Sequence, residues 1–426
     1  MNSERRLQPQ SGSPPRPPAA AAHHVFFIAN CVYSSRIGGG DIHYFHMAEG
    51  AITRGHAVTM FGGQALREHL ERRKLDTGFV QTDRGVVRTL DIARVWDQVF
   101  LFVDYLRRLI GSFVKLDGIG RDDVVYTVTE FWFDALPAIL CKARRKVMVL
   151  HMQAPTLGEI LRRSRPDVDP SRLAALHYWL SQKFSVAVFR WCRHKRLLYV
   201  HPAMREGLLR SGYRPEELKY VSFGVDVPEG IATTDSPKIY DVIWIGRIHR
   251  QKGVADLLST LAHLASRVPN FRAVVVGNLQ KDLQPEIEKL GLGPHVEFAG
   301  YVSEEDKFRL FRASRVFLMP SRFEGSPRVV AEALVCGVPV VAYDVPTYRP
   351  LFAEFLRYIP CFDAGAFKRE AEDQVLKMRS GKNYLHAMDL EQFCHNNSWQ
   401  VAEQAFCDAL DELAALPATP VSRAQK

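Results

Sequence analysis

The chain contains no run of about 18 apolar residues, so no segment has the length and polarity of a bilayer-crossing helix. Its seven cysteines, at 31, 141, 192, 336, 361, 394 and 407, form no C-x-x-C pair and no framework spacing. This argues against a zinc site and a disulfide scaffold and favours a reducing, cytoplasmic compartment. No Walker loop and no G-x-G-x-x-G fingerprint is present. The triplet Asp167–Val168–Asp169 has the metal-binding Asp-x-Asp form, but it lies between Pro166 and Pro170 in a basic loop and reads as solvated. His43 and His46 are too few for a metal site and belong to a helix. No metal and no cofactor is expected.

What is present is ordinary in bulk and uneven in distribution. A length of 426 residues exceeds one ordinary core, and ~150 residues per domain gives two or three domains. Residues 1–200 hold 29 Lys and Arg against 18 Asp and Glu, a net of +11, whereas the remainder nets −2. The segment 142–196 alone holds 13 basic and 3 acidic residues. Residues 1–22, rich in Pro, Ser, Gln and Arg, read as a disordered tail; their prolines fall where a signal peptide needs its apolar core.

Short apolar runs alternate with amphipathic stretches. One series comprises residues 24–30, 56–62, 124–130, 146–152 and 196–201; a second comprises 240–246, 272–277, 295–300, 315–320 and 338–343. Runs without strict alternation suit strands buried on both faces, hence two doubly wound α/β domains with parallel sheets. The Pro-, Gly- and Thr-rich stretch 227–238 reads as the linker between domains at 23–226 and 239–397. Residues 398–416 have a helical pattern and could pack back across the domains, and 417–426 form a tail. Ser303 with Asp306 predicts a capped helix start.

The stretch "PSRFEGSPRVVAEALVCGVPVVA" (320–342) carries two carboxylates, Glu324 and Glu332. "RVFLM" before it is a strand, Pro327 suits a first helical turn, and Gly337 suits the helix end. Were both glutamates helical, eight steps of ~100° would leave them ~80° apart, so helical spacing does not explain the pair. A ligand lying across the helix start does, because unpaired N–H groups there favour phosphate and a carboxylate beside them can accept from a vicinal diol. A nucleotide sugar has both parts. The bland alternative makes Glu324 a complement to the helix dipole and Glu332 a solvated face. "GRIHRQKG" (246–253) follows the strand "YDVIWI" and places Arg247 and Lys252 where a parallel sheet binds ligands, beside Gly246 and Gly253. Arg forks onto phosphate oxygens and Lys adds a mobile charge.

Together "GRIHRQKG", "VVVG", "VEFAGYV", "FLMPSRFEGSPRVVAEALVCGVPVVA" and the early "GGGDIHYFHMAEGAITRGHAVTMF" resemble the family-4 retaining glycosyltransferases of the glycosyltransferase-B fold, over roughly residues 24–410. The resemblance implies two Rossmann-like domains facing across a cleft, the first on the acceptor side. It implies that Arg247 and Lys252 hold the donor diphosphate, Glu332 the ribose and Glu324 the transferred sugar, with the N–H groups of Gly325 and Ser326 completing the contacts. Gly39 and Gly40 match a glycine-rich loop facing the donor phosphates, and His151 a cleft histidine near the sugar. Gly246, Gly277, Asn278 and Tyr301 complete the implied donor site. Transfer would then be metal-independent, with Glu324, His151, Arg247 and Lys252 at the reacting centre. Two positions depart from the pattern: Asn278 follows "VVVG" where a further glycine is frequent, and Phe223 stands where an asparagine is usual.

The expected activity is retaining transfer of a sugar from a nucleoside diphosphate to a hydroxyl acceptor, lipid-linked or a growing glycan. A nucleotide-sugar epimerase of the same fold and an inactive sugar-nucleotide-binding subunit are the alternatives. The basic segment 142–196 interleaves with Tyr178, Trp179, Phe184, Phe189 and Trp191, a mixture suited to an anionic membrane surface. No nucleic-acid recognition motif accompanies it, so no nucleic acid is expected. Residues 100–116 add a second amphipathic candidate for a peripheral membrane contact.

Overall fold

A computed structural model of the chain describes residues 22–32, 38–83, 95–165, 172–228, 237–277 and 283–416. Residues 1–21 of the first tail, Asp167 to Asp169, 229–236 of the linker, Asn278 and the tail 417–426 lie outside the described residues.

The first half builds a seven-stranded sheet from β1 (His24–Ala29), β2 (Ala57–Gly62), β3 (Gly78–Gln81), β4 (Val124–Thr127), β5 (Arg145–Leu150), β6 (His194–Tyr199) and β7 (Leu218–Tyr220). The second builds a six-stranded sheet from β8 (Tyr240–Ile245), β9 (Ala273–Val276), β10 (Val296–Gly300), β11 (Ser314–Met319), β12 (Val340–Tyr343) and β13 (Leu356–Ile359). Their orders are β3-β2-β1-β4-β5-β6-β7 and β10-β9-β8-β11-β12-β13, and every pairing is parallel. In each sheet the chain walks to one edge, then returns to the other side of its first strand. The resulting switch points, β1/β4 and β8/β11, are where the carboxyl ends of strands open a crevice for ligands. Central strands such as "VVYT" in β4 and "AVVV" in β9 are buried at every position, which is why they read as unbroken apolar runs.

Helices cover both sheets. The first half holds α1 (Gly39–Thr53), α2 (Gln64–Arg73), α3 (Val95–Lys115), α4 (Trp132–Leu140), α5 (Leu157–Arg162), α6 (Arg172–Phe189) and α7 (Met204–Arg210). The second holds α8 (Val254–Arg267), α9 (Gln284–Lys289), α10 (Glu304–Arg312), α11 (Arg328–Val335), α12 (Arg349–Phe352), α13 (Ala364–Arg379) and α14 (Leu390–Asn396). The Ser303 hydroxyl caps α10 by accepting from the Asp306 N–H, as its spacing predicts. Pro327 is the N-cap of α11, one residue earlier than expected, and Gly337 follows the helix with φ +70°. Gly39 and Gly40 lie in the first turn of α1 instead of in a loop.

The last helix, α15 (Trp399–Ala414), belongs to the core of the first half. Trp399, Phe406, Leu410 and Leu413 are buried with Phe27 and Tyr126, the Phe406 and Tyr126 rings meeting at 5.1 Å. Arg54–Asp411 (2.8 Å), Lys219–Glu412 (2.9 Å) and His46–Glu403 (3.0 Å) fasten its polar edges. The chain enters this contact so closely that a Cβ on Gly224 would lie 2.4 Å from the Trp399 Cα. Only glycine fits there.

Candidate active site

The loops after β8 and β11 interlock, and this fixes the geometry of the second switch point. Gln251 O accepts from the Arg322 N–H at 2.7 Å, and the Gln251 side-chain amide donates to Phe323 O at 2.8 Å. Gly253, at φ +65°, lies where a Cβ would be 1.9 Å from Pro320 O. Both its conformation and that approach require glycine. The loop so held brings Lys252 Nζ to 2.6 Å from Glu324 Oε1, with Glu324 6% exposed and Lys252 largely covered. Arg247, at the same strand end, stands exposed. Glu324, Gly325 and Ser326 form the loop immediately before α11, as their sequence position predicts.

Glu332 projects from the second turn of α11 and is 3% exposed, which rules out the solvated-face alternative. Its Oε1 accepts from Arg328 at 2.7 Å and from Lys307 Nζ at 2.9 Å. The Arg328 guanidinium in turn lies 5.8 Å from the Trp399 ring centroid, and that ring stacks on His46 at 3.9 Å. Lys307 and Arg328 were not legible as site residues. The i to i+4 spacing of Arg328 and Glu332 is the one signal that could have found the latter pair. Gly277 has φ +141° at the end of β9, where a Cβ would be 2.0 Å from Gly246 O; Tyr301 is two-thirds exposed beyond β10.

The first half supplies the opposite wall. A Cβ built on Gly325 would lie 3.1 Å from Met152 Cγ, so the loop bearing Glu324 rests against the residue after His151. His151 Nε2 is 3.3 Å from His43 Nδ1, and the Phe223 ring packs 5.0 Å from His43 and 5.8 Å from His151. Burial pushes the His151 imidazole down to about 4, and burial with the neighbouring His151 and His46 holds His43 well below the usual histidine range. Both are neutral at pH 7. The unusual Phe223 therefore forms one side of the pocket around His43 and His151. Gly39 and Gly40 face open space: a Cβ on either would meet nothing within 4 Å.

A further carboxylate, Glu130, sits just beyond β4 at the first switch point and was read in the sequence only as a strand residue. The Gln182 amide of α6 donates to its Oε1 at 3.0 Å and to Met152 O at 2.7 Å, and the Tyr178 hydroxyl lies 2.9 Å from that Oε1 and 2.8 Å from Met152 O, sharing its one proton between them. Burial raises its carboxyl above the usual range. Glu130 thus ties α6 to the segment carrying His151 and Met152. From the basic segment, the Arg165 guanidinium lies 4.1 Å from the Phe323 ring centroid, and His201 Nε2 is 2.8 Å from Thr347 O. Between the halves these contacts enclose a cavity of about 240 Å³ lined by Met152, Thr156, Arg165, His201, Phe323 and Glu324.

Among the described residues one group could present three metal ligands, His46, Glu49 and Glu403, and it lies on the α1–α15 seam. His46 Nδ1 is 3.1 Å from Glu49 and 3.0 Å from Glu403, so the group is satisfied as an ion-paired triad.

Two family descriptions match consecutive parts of the chain: "Glycosyltransferase Family 4" over residues 37–229 and "Glycosyl transferases group 1" over residues 233–379. The chain belongs to the group 1/family 4 glycosyltransferases. Its two facing parallel-sheet halves are the glycosyltransferase-B fold. An uncharacterized glycosyltransferase of Methanocaldococcus jannaschii is 32% identical over 105 residues, 24% of this chain and 25% of that protein. The phosphatidyl-myo-inositol mannosyltransferase of Mycolicibacterium smegmatis is 25% identical over 230 residues, 51% of this chain and 59% of that protein. The matched stretch thus spans from a quarter to about three-fifths of these relatives. HepE of Anabaena, solved with UDP and glucose, shares the fold with a TM-score of 0.64 at 16% identity, covering 92% of this chain and 100% of that one.

Proposed function

We propose that this glycosyltransferase moves a sugar, a hexose or a close relative, from a nucleoside diphosphate to a hydroxyl acceptor with retention at the anomeric carbon. The meeting of Lys252, Glu324 and the start of α11 at the β8/β11 switch point carries the reading. A diphosphate at that helix start gains from the N–H groups of Gly325 and Ser326, and Arg247 and Lys252 neutralise the charge that grows on it as the bond to the sugar breaks. Protein cations serve this need without a metal. Glu324 accepts from the sugar hydroxyls, and Glu332, oriented by Arg328 and Lys307, accepts from the ribose diol. Gly246, Gly277 and Tyr301 edge the same pocket, while Gly39 and Gly40 leave room for phosphate on the opposite wall.

The electron pair of the sugar–oxygen bond passes to the leaving phosphate, the acceptor oxygen bonds to the anomeric carbon on the same face, and its proton goes to that phosphate oxygen. No protein base is required. His151, being neutral, is fitted to hydrogen-bond a sugar hydroxyl and not to act as an acid. HepE, solved with UDP and glucose, supports a nucleotide-sugar donor. The named activity of the mycobacterial relative supports a lipid-linked acceptor over a growing glycan. We place the enzyme in the cytoplasm, peripherally on an anionic membrane through the 142–196 region; among the described residues no helix is long and apolar enough to cross a bilayer. The family match disfavours the epimerase and the inactive subunit.

Nucleotide release from a panel of UDP, GDP and ADP sugars, with Glu324→Ala beside the wild type, tests the reading. One donor is expected to release nucleotide in the wild type and at least ~100-fold more slowly in the variant, the range for loss of a group acting on developing charge. Equal behaviour of both proteins with every donor would sink it.

A further inference from the structure

Between α6 and α7 lies a second cavity of about 270 Å³, outside the donor site. Its walls are two facing helical stripes. Trp179, Lys183, Val186 and Ala187 on α6, at i, i+4, i+7 and i+8, with Arg190 in the turn just after it, face Met204, Gly207 and Leu208 on α7, at i, i+3 and i+4, with Ser211 at its C-cap. Leu150, from the end of β5, and Tyr213 close its base. Facing helical stripes of this kind ordinarily interdigitate. Here they leave a cavity between them, and a Cβ on Gly207 would meet nothing within 4 Å. Glycine inside a helix is unfavourable, and no packing against the protein demands it here.

The groove adjoins the active-site cavity: Gln153, Ala154, Thr156 and Met204 line both, and Glu324 lines the active-site cavity. Its deep surface is apolar, with Leu150, Met204, Leu208 and Tyr213 buried, whereas Lys183 and Arg190 stand exposed at its rim. Lys183 is paired with no carboxylate among the described residues, and Phe184 and Leu180 beside it on α6 are exposed.

We propose that this groove holds the apolar chain of the acceptor, an anionic amphiphile whose chain lies between α6 and α7, whose phosphate-type group meets Lys183 and Arg190 at the rim, and whose hydroxyl-bearing head reaches Glu324 through the shared wall. Adjacency to the reacting centre and the charge of the rim select this occupant over a neutral ring. The proposal rests on the transferase reading and names its acceptor class.

Titration of the full chain with dodecyl phosphate, ethyl phosphate and inorganic phosphate below micelle-forming concentrations reads the groove without turnover. Each buried methylene is worth about fourfold in affinity, so dodecyl phosphate should bind at least ~tenfold more tightly than ethyl phosphate. Gly207→Leu, which fills the groove, should erase that margin and leave nucleotide affinity unchanged. Lys183→Glu, an exposed change that does not test packing, should weaken dodecyl phosphate ~tenfold, as loss and reversal of one charge contact does. Equal affinity for the two alkyl phosphates, or a margin that survives both variants, overturns the proposal. Turnover separates the two readings. Donor consumed as fast with methyl-chain as with dodecyl-chain acceptors removes the groove proposal alone; donor consumed with none, in wild type and Glu324→Ala alike, removes the transferase reading and this proposal with it.

Discussion

Lys252 and Glu324 come from loops 72 residues apart and meet at 2.6 Å with both side chains largely withdrawn from water. Each is the other's counter-ion. Removing one side of such a pair leaves the other charge uncompensated, which costs about 3–5 kcal/mol when the pair is buried. Lys252→Ala is therefore expected to lower the melting temperature as well as transfer, and UDP-sugar or its equivalent should restore less stability to the variant than to the wild type. A melting temperature unchanged by Lys252→Ala would contradict the pairing.

The two glutamates should separate functionally. Glu332 sits among Arg328 and Lys307, and Glu324 beside Lys252 on the wall of the cavity between the halves. Glu332→Ala should weaken bare nucleotide roughly 10- to 100-fold, the loss of a hydrogen bond to a charged group. Glu324→Ala should leave bare nucleotide within a few-fold and spoil transfer. Calorimetry with nucleotide alone decides this, and equal loss in both variants would refute the division.

Acid should reveal the histidine pocket. His151 titrates at 6.5 in the unfolded chain and is pushed down to about 4 by burial in the fold, so between these values the unfolded state binds more protons. Stability is then complete above pH 6.5 and falls as pH drops towards 4, by on the order of 3 kcal/mol. His151→Asn should flatten that slope in denaturant titrations from pH 7 to 4. An unchanged slope would mean the ring is hydrated.

The exposed side of α3 carries Trp96, Val99, Val103, Leu106, Ile110 and Phe113 at alternating three- and four-residue steps, while Tyr105 and Leu109 turn inward to Phe133. Phe102 on the same helix reaches the His177 ring of α6 at 5.9 Å, which sets α3 beside α6 of the basic 142–196 region. Sedimentation should be stronger with vesicles of anionic phospholipid than with neutral ones, should fall with salt, and should weaken in Ile110→Ser. Basic residues near such a surface contribute about 1 kcal/mol each. Equal sedimentation with both vesicles counts against the membrane contact.

Ten of the thirteen strands among the described residues were legible, because residues such as "VVYT" and "VVAY" are buried on both faces and must be apolar throughout. The three that were not, "GFVQ", "LKY" and "LRYI", form the edge of a sheet or a short strand that needs little apolar content. The site divides along the same physical line. Residues that share a loop with their partners, such as Lys252 beside Gly253 or Glu324 before Pro327, announce themselves through glycine, proline and strand ends. Glu130, Lys307 and Trp399 come from other elements and meet the site only through packing, which no local spacing encodes. Burial of Glu332 was hidden for a related reason: the cation nearest it in sequence, Arg328, would equally suit a solvated i to i+4 pair.

The helix of residues 399–414 completes a core whose other walls lie between residues 24 and 221. During vectorial synthesis those walls emerge first, and their apolar face waits while more than 170 further residues are made. At ~5–20 residues per second that wait lasts roughly ten to thirty-five seconds. The half of the molecule born first is thus finished last, and its nascent form should be the species that chaperones hold.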